Sequence, residues 1–298
     1  MKLAALMTSI HPFELATGFL ARLAQEPAVL VQIESTQGSV PREAGTWMAV
    51  FANDLMGTIG GGHLEYDAIA RARALLLPTS RGGDSAPSPQ RLRVALGPAL
   101  GQCCGGMVHL RLECVSARDL PVLSTKLPQT LAHTLQAVAL FGGGHVGHAL
   151  VRVLANLPFA LTWIDSRDGV FPVSVPANVV CEHSDPVQAE VRHLAAGSRV
   201  LIMSFSHAED LDVVAACLQR RREQADLPYI GLIGSKTKWA VFRHRLEARG
   251  FSAAELAHVT SPIGVPGVAG KEPEVIAVAV AAQLLQTIDR PDWQASCL

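Results

Sequence analysis

A short apolar run that stops at Phe141 and turns at once into Gly142-Gly143-Gly144-His145-Val146-Gly147 leaves few folds open to this chain. Glycines at the first, third and sixth places of such a turn, between a strand and a helix, mark a βαβ unit whose turn either cradles phosphate or is kept glycine-rich for packing. Gly142 allows the tight turn, Gly144 lets a phosphate reach the backbone, and Gly147 lets helix and strand pack closely. The helix start adds unpaired N–H groups and partial positive charge.

The rest of the second half obeys the same pattern. Residues 137–141, 159–165, 178–182, 199–205 and 228–232 are apolar runs with few alternating polar positions, as expected of parallel strands covered on both faces. Helical periodicity over 146–156, 187–196, 209–221, 236–249 and 274–287 separates or follows them. A Rossmann-like parallel-sheet domain is predicted over 137–298.

Asp165 ends the strand after the glycine turn, where a carboxylate can accept hydrogen bonds from ribose hydroxyls and disfavour a 2′-phosphate. Arg167 either offsets a phosphate or sits in water. At a second strand-to-helix junction Ser235 is the expected N-cap, with Lys236 and Lys238 in the first turn. Cations there oppose the helix dipole, so they either hold an anion or form a solvated face. His207 is a candidate polar contact or proton carrier, or else a contact at a helix start. His145 and His148 lack the acidic or sulfur neighbours of a zinc site.

The first half reads as a small α+β domain, 1–120. A helix over 12–26 and a strand over 28–35 are followed by strands at 45–51 and 55–59 and a helix over 64–77 that stops at Pro78. Residues 78–90 have loop composition, and 91–96 and 107–115 alternate as half-buried strands do. The stretch 116–136 is expected to be irregular, with 121–136 serving as a linker.

Between those last strands lies Gly97-Pro98-Ala99-Leu100-Gly101-Gln102-Cys103-Cys104-Gly105-Gly106. Glycines let backbone and ligand approach closely, and adjacent thiols offer soft sulfur to a metal or to sulfur transfer. The competing reading is a tight turn with space-filling cysteines. Two further turns accompany it: Gly38-Ser39-Val40-Pro41-Arg42, whose guanidinium can grip phosphate with two prongs or simply decorate the surface, and Gly57-Thr58-Ile59-Gly60-Gly61-Gly62-His63-Leu64-Glu65, whose N–H groups can dock an anion.

Of the 298 residues, 49% are hydrophobic and 17% charged, enough for substantial cores and too little polarity for disorder. A net charge of −1 supplies no global attraction to nucleic acid or anionic membranes. The amino-terminal residues show no small-residue cleavage site, and no apolar run approaches the roughly 18 residues of a membrane span. The six cysteines lack disulfide-framework spacing, so a cytoplasmic location is expected. Cys114 and Cys181 fall on apolar phases as core thiols, while Cys217 and Cys297 suggest no chemistry.

Taken together in order, the turns at 38–42, 57–65, 100–106, 142–147 and 231–238 and Ser261-Pro262-Ile263-Gly264 resemble the XdhC/CoxI family of xanthine dehydrogenase accessory proteins. The resemblance spans nearly the whole chain, and Gln102-Cys103-Cys104-Gly105-Gly106 is its most specific part. Phe205-Ser206-His207 and residues 266–270 depart from the family pattern.

The resemblance implies a chaperone more than a catalyst. It would bind molybdenum cofactor, keep the sulfurated form protected and assist its insertion into xanthine dehydrogenase. Its implied partners are the dehydrogenase's molybdenum subunit and a cysteine desulfurase, and a homodimer is the expected assembly. On this reading Cys103 and Cys104 lie at the metal, Gln102 bonds an oxo group or the pterin, and a glycine-rich helix start holds the phosphate. Arg42, Gly60, Gly61, Gly62, Gly142, Gly144, Gly147, Asp165 and Lys236 complete the candidate cofactor-binding residues. A nucleotide is the other candidate occupant of the 142–147 turn. The alternatives are a nicotinamide-dependent oxidoreductase, which the fingerprint and Asp165 favour, and a redox sensor acting through the adjacent thiols.

Overall fold

The computed structural model describes residues 12–77, 88–97 and 105–288, which form two compact units, Pro12–Leu131 and Ala132–Asp289. In the first unit, strands β1 (Ala28–Gln37), β2 (Trp47–Val50), β3 (Leu55–Gly57), β4 (Gln90–Ala95) and β5 (Met107–Val115) form an antiparallel sheet ordered β3-β2-β1-β5-β4. Helix α1 (Pro12–Leu23) lies on one face and α2 (Gly62–Leu76) on the other. The period-two alternation of side chains explains how β1 serves both. Val29, Val31 and Ile33 pack toward Leu64, Ala68 and Ala72 of α2, while Ala28 and Leu30 pack with Ala16, Phe19 and Leu23 of α1. A bulge between Ile33 and Ser35 shifts the register against β5 and leaves Glu34 extra.

The stretch expected to be irregular, 116–136, contains a helix instead. Ser116 accepts from the Arg118 N–H and forms a capping box with Asp119, and α3 (Leu120–Thr134) follows. Pro121 stands in the first turn, where its missing N–H costs no helical hydrogen bond. Leu123 and Leu127 join the α1 core, which gives the helix a buried face despite its prolines.

In the second unit β6 (Gln136–Phe141), β7 (Phe159–Asp165), β8 (Val179–His183), β9 (Arg199–Ile202), β10 (Tyr229–Leu232) and β11 (Val259–Thr260) form a parallel sheet ordered β11-β10-β9-β6-β7-β8. Numbered within the unit this is 3-2-1-4-5-6 read from β8, the doubly wound dinucleotide-binding order. Helices α4 (His145–Leu154) and α8 (Pro273–Gln286) cover Val138, Leu140, Leu161 and Trp163 on one face. Helices α5 (His207–Gln224) and α6 (Lys236–Ala248) cover Ala139, Phe141, Val200 and Ile230 on the other. The helix expected over 187–196 is a 3-10 segment, Val187–His193, and the sequence reading missed the short α7 (Ala253–Leu256) and β11. The fold is thus α/β, a small antiparallel-sheet domain followed by a Rossmann-like parallel sheet. Among the described residues no helix is long and apolar enough to cross a membrane.

Candidate functional site

The first unit brings its glycine-rich turns together. A Cβ on Gly106 would lie 2.3 Å from the Ser39 carbonyl oxygen and 2.7 Å from that of Gln37, so only glycine fits there. On the other side a Cβ on Gly60, where φ is +121°, would lie 2.8 Å from Pro41 Cβ and 3.3 Å from Arg42 Cγ. The 38–42 turn is therefore gripped between the root of the double-cysteine loop and the 57–65 turn. The Leu96 N–H donates to the Gly106 carbonyl at 2.8 Å and extends the β4–β5 pairing to the hairpin end. Gln102, Cys103 and Cys104 themselves lie outside the described residues. Among the described residues, a Cβ on Gly61, Gly97 or Gly105 would meet nothing within 4 Å.

One expectation for this cluster needs correction. Two of the N–H groups at 57–65, read as a dock for an external anion, are taken by the chain's own Glu65. Its Oε2 accepts from the Ile59 and Gly61 N–H groups, both at 3.1 Å, and from the Thr58 hydroxyl. Gly60, Gly61 and Gly62 all have positive φ, and their turn wraps a resident carboxylate. Glu65 stands in the first turn of α2, where an acid suits the dipole; an acid placed just after a glycine run was the available signal. Arg42 is exposed, and among the described residues its guanidinium has no partner.

In the second unit the 142–147 turn sits at the end of β6, beside β9, where the strand order reverses. Each glycine has a distinct geometry. A Cβ on Gly142 (φ +125°) would fall 2.0 Å from the Met203 carbonyl oxygen, and one on Gly147 would fall 2.1 Å from that of Gly142. A Cβ on Gly144, the N-cap of α4, would face open space, and no side chain caps this helix start. Trp163 Nε1 donates to the Gly142 carbonyl at 3.0 Å and steadies the turn from beneath.

Asp165 is only 2% exposed and already fully bonded. Its Oδ1 accepts from the Arg167 N–H and Nε at 2.9 Å, and its Oδ2 from Gly143 N–H at 2.6 Å and Arg167 Nη2 at 2.9 Å. A carboxylate offers about four acceptor sites, so the expected ribose contact would require Arg167 to let go. Burial works against the Asp165 charge, but the bonds from Arg167 and Gly143 outweigh it and hold the carboxyl below its usual range. Arg167 also stacks 4.5 Å above the ring of Phe205, an aromatic left 66% exposed.

The two lysines of the next junction separate. Lys236 is exposed, whereas Lys238 turns inward and donates from Nζ to Asp210 Oδ2 at 2.6 Å and to the Ile233 carbonyl at 2.9 Å. Lys238 is thus the counter-ion of a buried acid that the sequence reading missed. Ser235 caps α6 as expected. Ser206 caps α5, and His207 lies edge-on to Phe242 at 6.2 Å.

Among the described residues no three His, Cys, Asp or Glu side chains could hold a metal. Burial raises the thiols of Cys114 and Cys181, and pushes fully buried Cys217 up to about 12. None of these three is a thiolate near neutral pH.

With this geometry in view, comparison with known proteins places the chain. Residues 138–284 match the XdhC Rossmann domain and residues 21–82 the XdhC and CoxI family. A curated relative, the uncharacterized protein YqeB of Escherichia coli (strain K12), is 23% identical over 263 residues, which cover 87% of this chain and 43% of that protein. The chain therefore spans less than half the length of that relative. A crystal structure from Bacillus halodurans, described as a xanthine dehydrogenase, superposes with a TM-score of 0.72 at 20% identity, covering 97% of this chain and 98% of that one. At that identity the likeness establishes the fold. A Rossmann-fold NAD(P)-binding family protein from Shigella flexneri matches 53% of this chain and 89% of its own at 17% identity, with a TM-score of 0.34, too loose to bear on function.

Proposed function

The chain belongs to the XdhC and CoxI family, and from that premise we propose that it carries molybdenum cofactor, shields the sulfurated form and assists its insertion into xanthine dehydrogenase. The observation that carries this reading is the convergence of three glycine-rich turns in the first unit. The 38–42 turn touches Gly106 on one side and Gly60 on the other, and among the described residues nothing lies within 4 Å of a Cβ on Gly61, Gly97 or Gly105.

The donor set suits the ligand. When bound, the cofactor supplies a metal with a terminal sulfur. Cys103 and Cys104 offer soft sulfur to that end, and Gln102 offers an amide to an oxo group or the pterin. The described cysteines, whose thiols burial raises, compete for neither role. Arg42, exposed and without a partner among the described residues, is a charge for the cofactor's anionic groups or for a partner protein. In this account the chain holds and orients its ligand and excludes water from the sulfur. It receives sulfur through a cysteine desulfurase and delivers to the dehydrogenase's molybdenum subunit, acting as a homodimer in the cytoplasm.

A nicotinamide-dependent oxidoreductase is the second reading, favoured by the doubly wound strand order and by the open space at Gly144. The saturated Asp165 weighs against an NAD-type ribose contact. Titrating the purified protein with NADH and with released molybdenum cofactor separates the two. Saturable cofactor binding without NADH binding is expected. Tight NADH binding without cofactor binding would replace this proposal with the second.

A further inference from the structure

On the sheet face of the first unit that α1 covers, the side chains toward β4 are exposed and those on the far half of β5 half-buried among the described residues. Arg91 and Arg93 of β4 and His109 and Arg111 of β5 share this face, because Arg91 pairs with Arg111 and Arg93 with His109 in register. The charges on this face do not balance. Arg91 Nε bonds the Glu34 carboxylate at 2.9 Å, and Arg111 Nη2 bonds Glu113 at 2.9 Å. Arg93 is exposed, and among the described residues its one polar contact is Met107 Sδ, 2.6 Å from Nε. A thioether is a weak acceptor and carries no charge. Three guanidiniums thus share two carboxylates, and the surplus cation is the one nearest the root of the double-cysteine loop.

Its neighbours complete a polar seat. His109, directly across from Arg93, has Nδ1 3.1 Å from the Ser35 hydroxyl, which the β1 bulge places on this face. The contact with Met107 leans the guanidinium toward the hairpin end. Arg93 is four residues from Gly97, about 13 Å of strand at roughly 3.3 Å per residue.

We propose that Arg93, with His109 and Ser35 beside it, is the seat for a phosphate group of the carried ligand. The inference rests on the cofactor-carrier reading and changes one part of it. Glu65 takes the Ile59 and Gly61 N–H groups of the 57–65 turn, which weakens that turn as a phosphate cradle and favours the unpaired Arg93 guanidinium beside the hairpin end. A phosphomonoester suits the site because a guanidinium presents a planar fork of donors to two of its oxygens.

The experiment has two arms on the full chain. In the first, inorganic phosphate is titrated into wild-type protein and Arg93→Ala while the ring resonances of His109, assigned with His109→Gln, are followed. Saturable shifts in wild type that disappear in Arg93→Ala are expected. No shift of His109 in wild type, or the same shift in Arg93→Ala, would overturn the site. In the second arm, retention of released molybdenum cofactor is compared for wild type, Arg93→Ala and Arg93→Lys. Loss of a charged hydrogen-bonded pair predicts binding weaker by about tenfold or more in Arg93→Ala, with partial rescue by lysine. Equal retention by wild type and Arg93→Ala would overturn the seat and leave the carrier reading standing. Phosphate seated at Arg93 in a protein that retains no cofactor would do the reverse.

Discussion

Replacing Gly142 by alanine should unfold the second unit at temperatures where the native protein is intact. The added Cβ would lie 2.0 Å from the Met203 carbonyl oxygen and 2.6 Å from its carbon, and both are backbone atoms of the chain leaving β9. They cannot swing aside, because the Gly142 N–H donates to the Ile164 carbonyl and the Met203 N–H to the Phe141 carbonyl, each at 2.8 Å. The backbone adds strain of its own, with φ at +125°. A loss of about 3 kcal/mol or more is expected, which for a unit of this size lowers the melting temperature by roughly 10 °C. Gly144→Ala is the contrasting case, since its Cβ meets nothing within 4 Å and its φ is −78°. It should melt within about 2 °C of the native protein. Calorimetry of the two variants checks both statements, and equal melting would contradict the packing described for this turn.

The second large effect concerns the buried pair. Lys238→Met removes the cation from Asp210, whose side chain is 3% exposed and sits 2.6 Å from Nζ. The Ser204 N–H still donates to Asp210 Oδ1 at 2.7 Å, but one N–H does not offset a buried charge. A cost of about 3–5 kcal/mol is expected, as for other buried pairs broken from one side. The pH dependence carries the signature. Burial pushes the Asp210 carboxyl up, against the pull of Lys238, and removing the lysine raises it further. A carboxyl raised in the folded state binds its proton more tightly there than in the unfolded chain. Its folded form is therefore most favoured below the unfolded carboxylate range and loses stability as pH rises through the raised value. Denaturant titrations of Lys238→Met across the acid range should show stability falling from mildly acid to neutral pH relative to the native protein. Asp210→Asn in the same background should flatten the difference. A pH-independent deficit would mean that the cost lies in lost packing of the lysine stem.

Much of the second unit was legible from residues alone because parallel strands buried on both faces leave uninterrupted apolar runs, and the glycine turn fixes where the first of them ends. What escaped were side-chain pairings that spacing alone does not show, whether between near neighbours or between residues far apart. Asp165 reads as a ribose acceptor until Arg167 folds back onto it, and Lys238 reads as an anion ligand until Asp210, 28 residues earlier, is seen beneath it. In the first unit the three turns were visible one by one. Their contact depends on β1, β4 and β5 pairing so that Gly38 and Gly106 meet, a register that spacing alone does not reveal. Glu65 was hidden by its ordinariness, an acid in the first turn of a helix. The 116–136 stretch misled because its prolines suggest a break, whereas the Ser116 capping box and the apolar contacts of Leu123 and Leu127 favour a helix.

The carrier account assigns the metal-end contacts to the two adjacent cysteines, and their removal tests it most directly. Cys103→Ser/Cys104→Ser should be incubated with sulfurated molybdenum cofactor, desalted, and assayed for retained pterin, molybdenum and activation of cofactor-free xanthine dehydrogenase. The account predicts an unchanged melting temperature, retained cofactor lowered by about tenfold or more, in keeping with the loss of direct metal-end contacts, and activation lost with it. Retention and activation equal to the native protein would contradict it.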